Sequence, residues 1–475
     1  MSESGFNSIG VGSAGCISSG IHLRTLKAKQ LFDFTIFIWS KKVNWITKPT
    51  PIELKPLSDI DDQDGARFQI PMIQIYRGDP TKNRNPAIVI REALAKLLVP
   101  YYPFAGRLRE GPGRKLFVDC SGQGVLFIEA DVDGTLDQFG ETFIPPFPCM
   151  EELLYDVPGS SEILDSPLLL VQVNRLLCGG FIIAIRINHT MCDGQGMIQF
   201  MTALGEMARG ASKPSILPVW QRELLLARDR PRVTHTHHEY DEVANVNNSN
   251  ISLGEMVSKS FFFGPFEMAI LRRHLPTHLQ SCTTFEVVSA AIWRCRSIAL
   301  SQNPEECMRI IFPVNGRTKF KPHIPIGYYG NCVVIPVALS TAKDLLSKPL
   351  EYALELVLKA KSYVDEEYIR STIDLLVTKG RPHFTTINTY FLTDLTQARF
   401  NDIDFGWGKA MYGGPAVVDV FARIGNFYLP FTNKKGESGV VIPMCLPKSI
   451  MEKFVMELDN MLMKNAIHHL GTAKL

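Results

Sequence analysis

Three things are scarce in this chain, and each scarcity closes a class of function. Long apolar runs are missing. The longest near the start, Phe34 to Trp39, falls far short of the ~20 residues a membrane helix needs. Net charge is missing too: 50 basic residues against 48 acidic ones leave +2. The basic residues are dispersed rather than clustered, so neither a nucleic-acid nor a membrane partner is expected. Paired cysteines are the third absence. Ten cysteines are scattered with no Cys-x-x-Cys pair, which gives no zinc site and no disulfide frame. Reduced thiols in a cytoplasmic protein are the simpler reading. The sequon Asn188-His189-Thr190 agrees, because a secretory route would expose it to glycosylation.

Acids are rare at the start, where Glu3 is the only one before Asp33, and Ser2 to Gly20 is rich in Ser and Gly. Such a stretch has too little apolar surface to fold alone. Arg24, Lys27 and Lys29 give it a faint likeness to an organelle transit peptide. Residues 1–41 read more simply as an atypical low-complexity extension.

What is present fits a large globular protein. At 475 residues and 45% hydrophobic, the chain can build two domains, each with its own core. From Pro51 onwards short strands alternate with helices, and no repeat is visible. Lys115 to Val118 and Val125 to Ile128 read as strands. Leu168 to Val173 and Phe181 to Ile187 flank Cys178-Gly179-Gly180 as a hairpin. The Asn-rich segment Asn245 to Ser252 breaks the pattern. Apolar helices are expected over Phe285 to Trp293 and Pro349 to Val364. The expected division is an N-terminal domain over 42–220, a crossover over 221–255 and a C-terminal domain over 256–475.

The feature richest in chemistry is His189-Thr190-Met191-Cys192-Asp193-Gly194, which follows the apolar run Gly180 to Asn188. That run predicts a buried strand, and the segment after it opens a helix with Ile198, Met201, Leu204 and Met207 on one face. Neutral imidazole at the mouth of a strand is a candidate general base. Spacing alone proves little, since 11 histidines make one chance His-x-x-x-Asp match unsurprising. His237 to Asp241 is such a match, in a polar stretch with no strand before it. His235, His237 and His238 lack carboxylates at ligand spacing, so that stretch is expected to be a solvated loop and no metal site is expected. Cys192 is read as inert packing, because no second histidine is placed to activate its thiol.

A second signature, Asp404-Phe405-Gly406-Trp407-Gly408, lies towards the C-terminus. With Tyr102-Pro103-Phe104-Ala105-Gly106, the chain resembles the plant BAHD acyltransferases from roughly Lys42 onwards, and within them the alcohol acyltransferase branch. Leu57 to Gln63, Asn188 to Gly194 and His238-Glu239-Tyr240 carry the resemblance to that branch. The resemblance implies an α/β (α+β) fold of two chloramphenicol acetyltransferase-like domains with mixed sheets and a channel at their interface. It implies no permanently bound cofactor, an acyl-CoA co-substrate and a small alcohol acceptor, in a monomer.

His189 is then the general base of a ternary-complex transfer. Asp193 is expected to turn from the channel and pair with Arg317, beside Gly194 at the helix start. Asp404, Gly406, Trp407 and Gly408 are expected to give structural support. Thr393 is a candidate donor to the thioester oxygen, although Thr393-Asp394-Leu395 departs from the family's Thr-Ser-Trp. Thr284 and Ser289 are candidate coenzyme A contacts that could equally be helix-cap and helix-face residues. Benzoyl-CoA and benzyl alcohol are the leading substrate pair. Acetyl-CoA or tigloyl-CoA with an aliphatic alcohol or hydroxylated alkaloid is the alternative, and a catalytically silent acyl-CoA-binding module is the rival of another class.

Overall fold

A computed structural model describes residues 22–27, 35–43, 47–139, 143–147, 149–243, 255–301, 303–417 and 424–463. Two mixed sheets dominate. The first has seven strands in the spatial order His22–Lys27, Thr35–Val43, Val125–Val132, Leu169–Leu176, Phe181–Asn188, Gln69–Tyr76 and Tyr412–Pro415. The second has six, in the order Met256–Phe263, Ser438–Pro447, Gly425–Thr432, Thr389–Asp394, Cys307–Ile311 and Val337–Thr341. Among the described residues no helix is long and apolar enough to cross a membrane.

The strand Phe181–Asn188 is apolar from Phe181 to Ile187 apart from Arg186 because both of its faces are covered. Phe181, Ile183, Ile185 and Ile187 join the core beneath the helices Pro86–Leu97 and Gly194–Ala208. Ile182 and Ala184 face a second apolar layer with Ile36, Ile128 and Leu136. The period of two thus divides one strand between two cores. In the other half, the helices Thr284–Leu300, Leu350–Ser362 and Lys448–Met463 build a separate core around Trp293, Leu354 and Phe454.

Two expected boundaries need correction. Residues 35–41 are no loose extension: Thr35–Val43 pairs with Val125–Val132 over eight residues, and Ile36 and Ile38 are buried. Phe34 to Trp39 is too short for a membrane helix, yet its alternate residues Ile36 and Ile38 go into a core. The C-terminal domain is also not confined to its own sheet. Tyr412–Pro415 pairs with Gln69–Tyr76, and Phe400, Ile403 and Phe405 pack in the first core. The segment Asn245 to Ser252 lies outside the described residues. The described part of the crossover packs firmly, with Arg222, Leu225, Glu239 and Tyr240 all buried.

Candidate active site

The motif histidine sits where a strand must turn into a helix. His189 N–H donates to the Phe68 carbonyl at 2.8 Å, extending the ladder one residue beyond Asn188. The Asn188 carboxamide oxygen then accepts from Thr190 N–H at 3.1 Å and from the Thr190 hydroxyl at 2.7 Å, folding the chain back on itself. Asp193 caps the helix Gly194–Ala208 by accepting from Gly196 N–H at 2.9 Å. Gly196 is forced by close approach, since a Cβ there would lie 2.0 Å from the Tyr329 carbonyl oxygen. Gly194 meets nothing within 4 Å of such an atom and leaves open space beside the imidazole.

His189 lines a cavity of about 160 Å³ between the two sheets. Asp193, Gly194 and Asn331 share its wall, and Thr393 faces it from the strand Thr389–Asp394. The rest is mainly apolar, with Phe68, Met72, Phe384, Phe391 and Phe427 prominent. The Phe68 ring centroid lies 5.1 Å from that of His189. Burial holds the imidazole below its ordinary pKa, against the opposing pull of its own carbonyl, Asp193, Asn331 and Asp61. The neutral, proton-accepting form is therefore favoured near pH 7. Nδ1 is buried within the protein.

Asp193 does not orient the imidazole. Its carboxylate takes two bonds from Arg317, of 2.8 and 2.9 Å, and a third from Cys332 N–H at 3.0 Å. Burial alone would raise its pKa. The Arg317 charge and these donors outweigh burial and hold the carboxyl below its usual range. Cys192 is fully buried and its thiol is pushed up by burial, so it is no thiolate nucleophile.

The Asp404 turn lies at the other end of the same strand. Eight residues at ~3.3 Å each put it roughly 25 Å from His189. The Asp404 carboxylate accepts from Gly406 N–H at 2.6 Å and Gly408 N–H at 2.8 Å, closing its own turn. Both glycines have positive φ, 106° and 88°, which a side chain rarely tolerates. Trp407 packs edge-on against Phe181 at 5.0 Å, and Phe405 against Tyr76 at 5.6 Å. Arg209, on the helix that begins beside His189, donates to the Asp404 carbonyl. The turn therefore pins the far ends of the motif strand and motif helix together and touches no reacting group.

Other expectations fare differently. Ser289 is fully buried within the helix Thr284–Leu300 and cannot meet coenzyme A. Thr284 begins that helix after the Thr283 cap and does not line the cavity. The His237 stretch is not a solvated loop. Its imidazole is buried, with Nδ1 2.9 Å from Glu239 Oε1 and Nε2 2.8 Å from Ser371 Oγ. Ser371 Oγ also accepts from Thr234 and His235 N–H, so this Ser–His–Glu set is a lock between segments. Of the three histidines His238 is exposed and His235 half-buried, and Thr236 between them is exposed as well. The polar composition of this stretch suggests solvent exposure and so hides the lock in the sequence.

A family model for the transferase family matches residues 36–461. The benzyl alcohol O-benzoyltransferase of Nicotiana tabacum is 60% identical over 446 residues, covering 93% of this chain and 97% of that protein. That of Petunia hybrida is 59% identical over 422 residues, covering 88% and 92%. In fold the chain is similar to the crystal structure of vinorine synthase, with a TM-score of 0.67 at 21% identity over 93% of this chain and 98% of that one. The match takes in both motifs and both sheets apart from the edge strand His22–Lys27, and the chain belongs to this transferase family, the BAHD acyltransferases.

Proposed function

We propose that this chain transfers the benzoyl group of benzoyl-CoA to benzyl alcohol or a similar small alcohol. An apolar cavity with a neutral imidazole in its wall carries the reading. An alcohol has a pKa far above 7, so its oxygen attacks a thioester poorly until a base takes the proton. His189 Nε2 is that base, acting on an alcohol bound together with the acyl-CoA. The oxygen adds to the thioester carbonyl as Nε2 receives the proton. The tetrahedral intermediate then collapses with loss of coenzyme A thiolate, to which the imidazolium returns the proton. The Thr393 hydroxyl is our candidate donor to the oxyanion. Asp193 with Arg317 holds the loop that carries His189, and the Asp404 turn supports the strand and helix at their far ends.

The apolar wall favours small aromatic partners and selects by size and shape. Among the described residues its lining holds no lysine or arginine to pair with a carboxylate on the acyl group. We also read the chain as cytoplasmic, since the cysteines among the described residues are unpaired, and as a monomer, as the family resemblance implies.

The test is a panel of kcat/KM values for benzoyl-, acetyl-, tigloyl- and malonyl-CoA with benzyl alcohol, run beside His189→Ala. Benzoyl-CoA should be a competent donor and malonyl-CoA a poor one, and His189→Ala should lose about 10²–10⁴-fold in rate while staying folded. Exclusive use of malonyl-CoA, or turnover only with a bulky alkaloid acceptor, defeats the substrate assignment. Binding of acyl-CoA without turnover of any donor would mark a silent module.

A further inference from the structure

His189 is held from behind by a second buried network that shares no residue with the Asp193–Arg317 pair. At its centre is Asp61, fully buried between the domains. Arg222 Nη1 donates to both of its oxygens at 2.8 Å, and Arg222 Nη2 donates to the Met191 carbonyl at 2.7 Å. On the other side, Asn331 offers Asp61 Oδ1 its backbone N–H and its Nδ2, each at 2.8 Å. The same Nδ2 reaches the His189 carbonyl at 2.8 Å. The carbonyls of His189 and Met191, on either side of Thr190, are thus the two ends of one network.

The network is built for rigidity. The Arg222 guanidinium lies 4.5 Å from the Trp220 ring and 5.0 Å from that of Tyr329, stacking that a planar cation favours. Gly330 leaves it room, since a Cβ there would stand 1.6 Å from Arg222 Nη1. The Ser58 backbone N–H adds a further bond to Asp61 Oδ2 at 3.1 Å. Four separate stretches of chain meet here: the loop at 58–61, the motif turn, the crossover at 220–222 and the loop at 328–331. The last of these belongs to the second half of the chain, and its Asn331 also lines the cavity.

We propose that Asp61, Arg222 and Asn331 are positioning residues that set the aim of the His189 imidazole by fixing the backbone on both sides of the motif turn. The proposal rests on His189 being the base. It makes the aim of that base depend on the docking of the two halves of the chain, because Asn331 arrives from the second half and Arg222 from the crossover between them. Asp193 and Arg317 hold the start of the helix; this network holds the turn itself.

The test uses the full-length enzyme with benzoyl-CoA and benzyl alcohol. Asn331→Ala removes the two Nδ2 bonds and spares the charges of Asp61 and Arg222. A misplacement of the base by a fraction of an ångström should lower kcat by about tenfold to a hundredfold, with both KM values within about twofold of wild type. Loss of stability alone would reduce the amount of active enzyme and leave kcat per folded molecule unchanged. Arg222→Lys is the second variant: lysine keeps a charge beside Asp61 but cannot reach both oxygens and the Met191 carbonyl together. It too should lose kcat at constant KM, and it decides the matter if Asn331→Ala does not fold. A kcat within twofold of wild type in the variant that folds, with His189→Ala inactive under the same conditions, overturns the positioning role and leaves the base intact. Turnover by His189→Ala overturns the base itself.

Discussion

Replacing Asp193 by alanine removes more than a charge. Its carboxylate holds Arg317 by two bonds and accepts backbone N–H from both Gly196 and Cys332. The side chains are 3% and 12% exposed. Losing one partner of so buried a pair costs about 3–5 kcal/mol, because the other charge stays dry. Losing the helix cap adds about 1 kcal/mol. Arg317→Ala should sit near the lower end, about 3 kcal/mol, because the carboxylate keeps two N–H donors that favour its charged form. The double variant leaves neither charge stranded. It should therefore be more stable than the two single losses summed, by about 1–3 kcal/mol. Urea unfolding of the wild type, both single variants and the double closes the cycle. The runs belong near neutral pH. The lowered Asp193 pKa contributes stability that is present above the ordinary carboxylate value of about 4 and lost as pH falls through the lower folded-state value. Losses that add to within about 0.5 kcal/mol would refute the coupling.

Three further outcomes follow from the same structure. A chain beginning at Lys42 loses most of the strand Thr35–Val43 and the burial of Ile36 and Ile38, worth about 1.5–3 kcal/mol each; soluble yield and melting temperature should fall, and an unchanged melt would show that the strand is dispensable. His237→Ala should destabilise the fold by about 1–3 kcal/mol by removing buried bonds to Glu239 and Ser371, which keep only the Tyr368 hydroxyl and the Thr234 and His235 N–H groups, while kcat per folded molecule stays within about twofold of wild type; a large kcat loss at unchanged stability would give that histidine a part in the chemistry. The acid limb of kcat/KM should fall below the ordinary histidine value of about 6.5, since burial favours the neutral base and activity is lost only as pH drops through the lower value; a limb above pH 7 in the pH–rate profile would contradict the desolvated site.

The sequence revealed what is local. A strand of eight residues and the turn and helix after it lie within one window, so Phe181–Asn188 and Gly194–Ala208 were legible from periodicity. The Asp404 turn was equally legible, because its hydrogen bonds span only two to four residues. Pairings across the chain were not. Asp61 and Arg222 are 161 residues apart, and Asp61 and Asn331 270 apart. Before the fold forms, none of these three residues differs from any other solvated polar side chain. The Asp193–Arg317 pair, 124 residues apart, is reached only through the family resemblance, and Asp61, although it lies in the Leu57 to Gln63 stretch that carries that resemblance, is given no partner by it. The same physics misled the reading of residues 35–41 and 235–241. Composition reports what a segment could bury or pair, but exposure is decided by the neighbours it meets. A motif can therefore locate the imidazole, while the groups that aim it come from distant segments whose chemistry appears only once burial has removed their water.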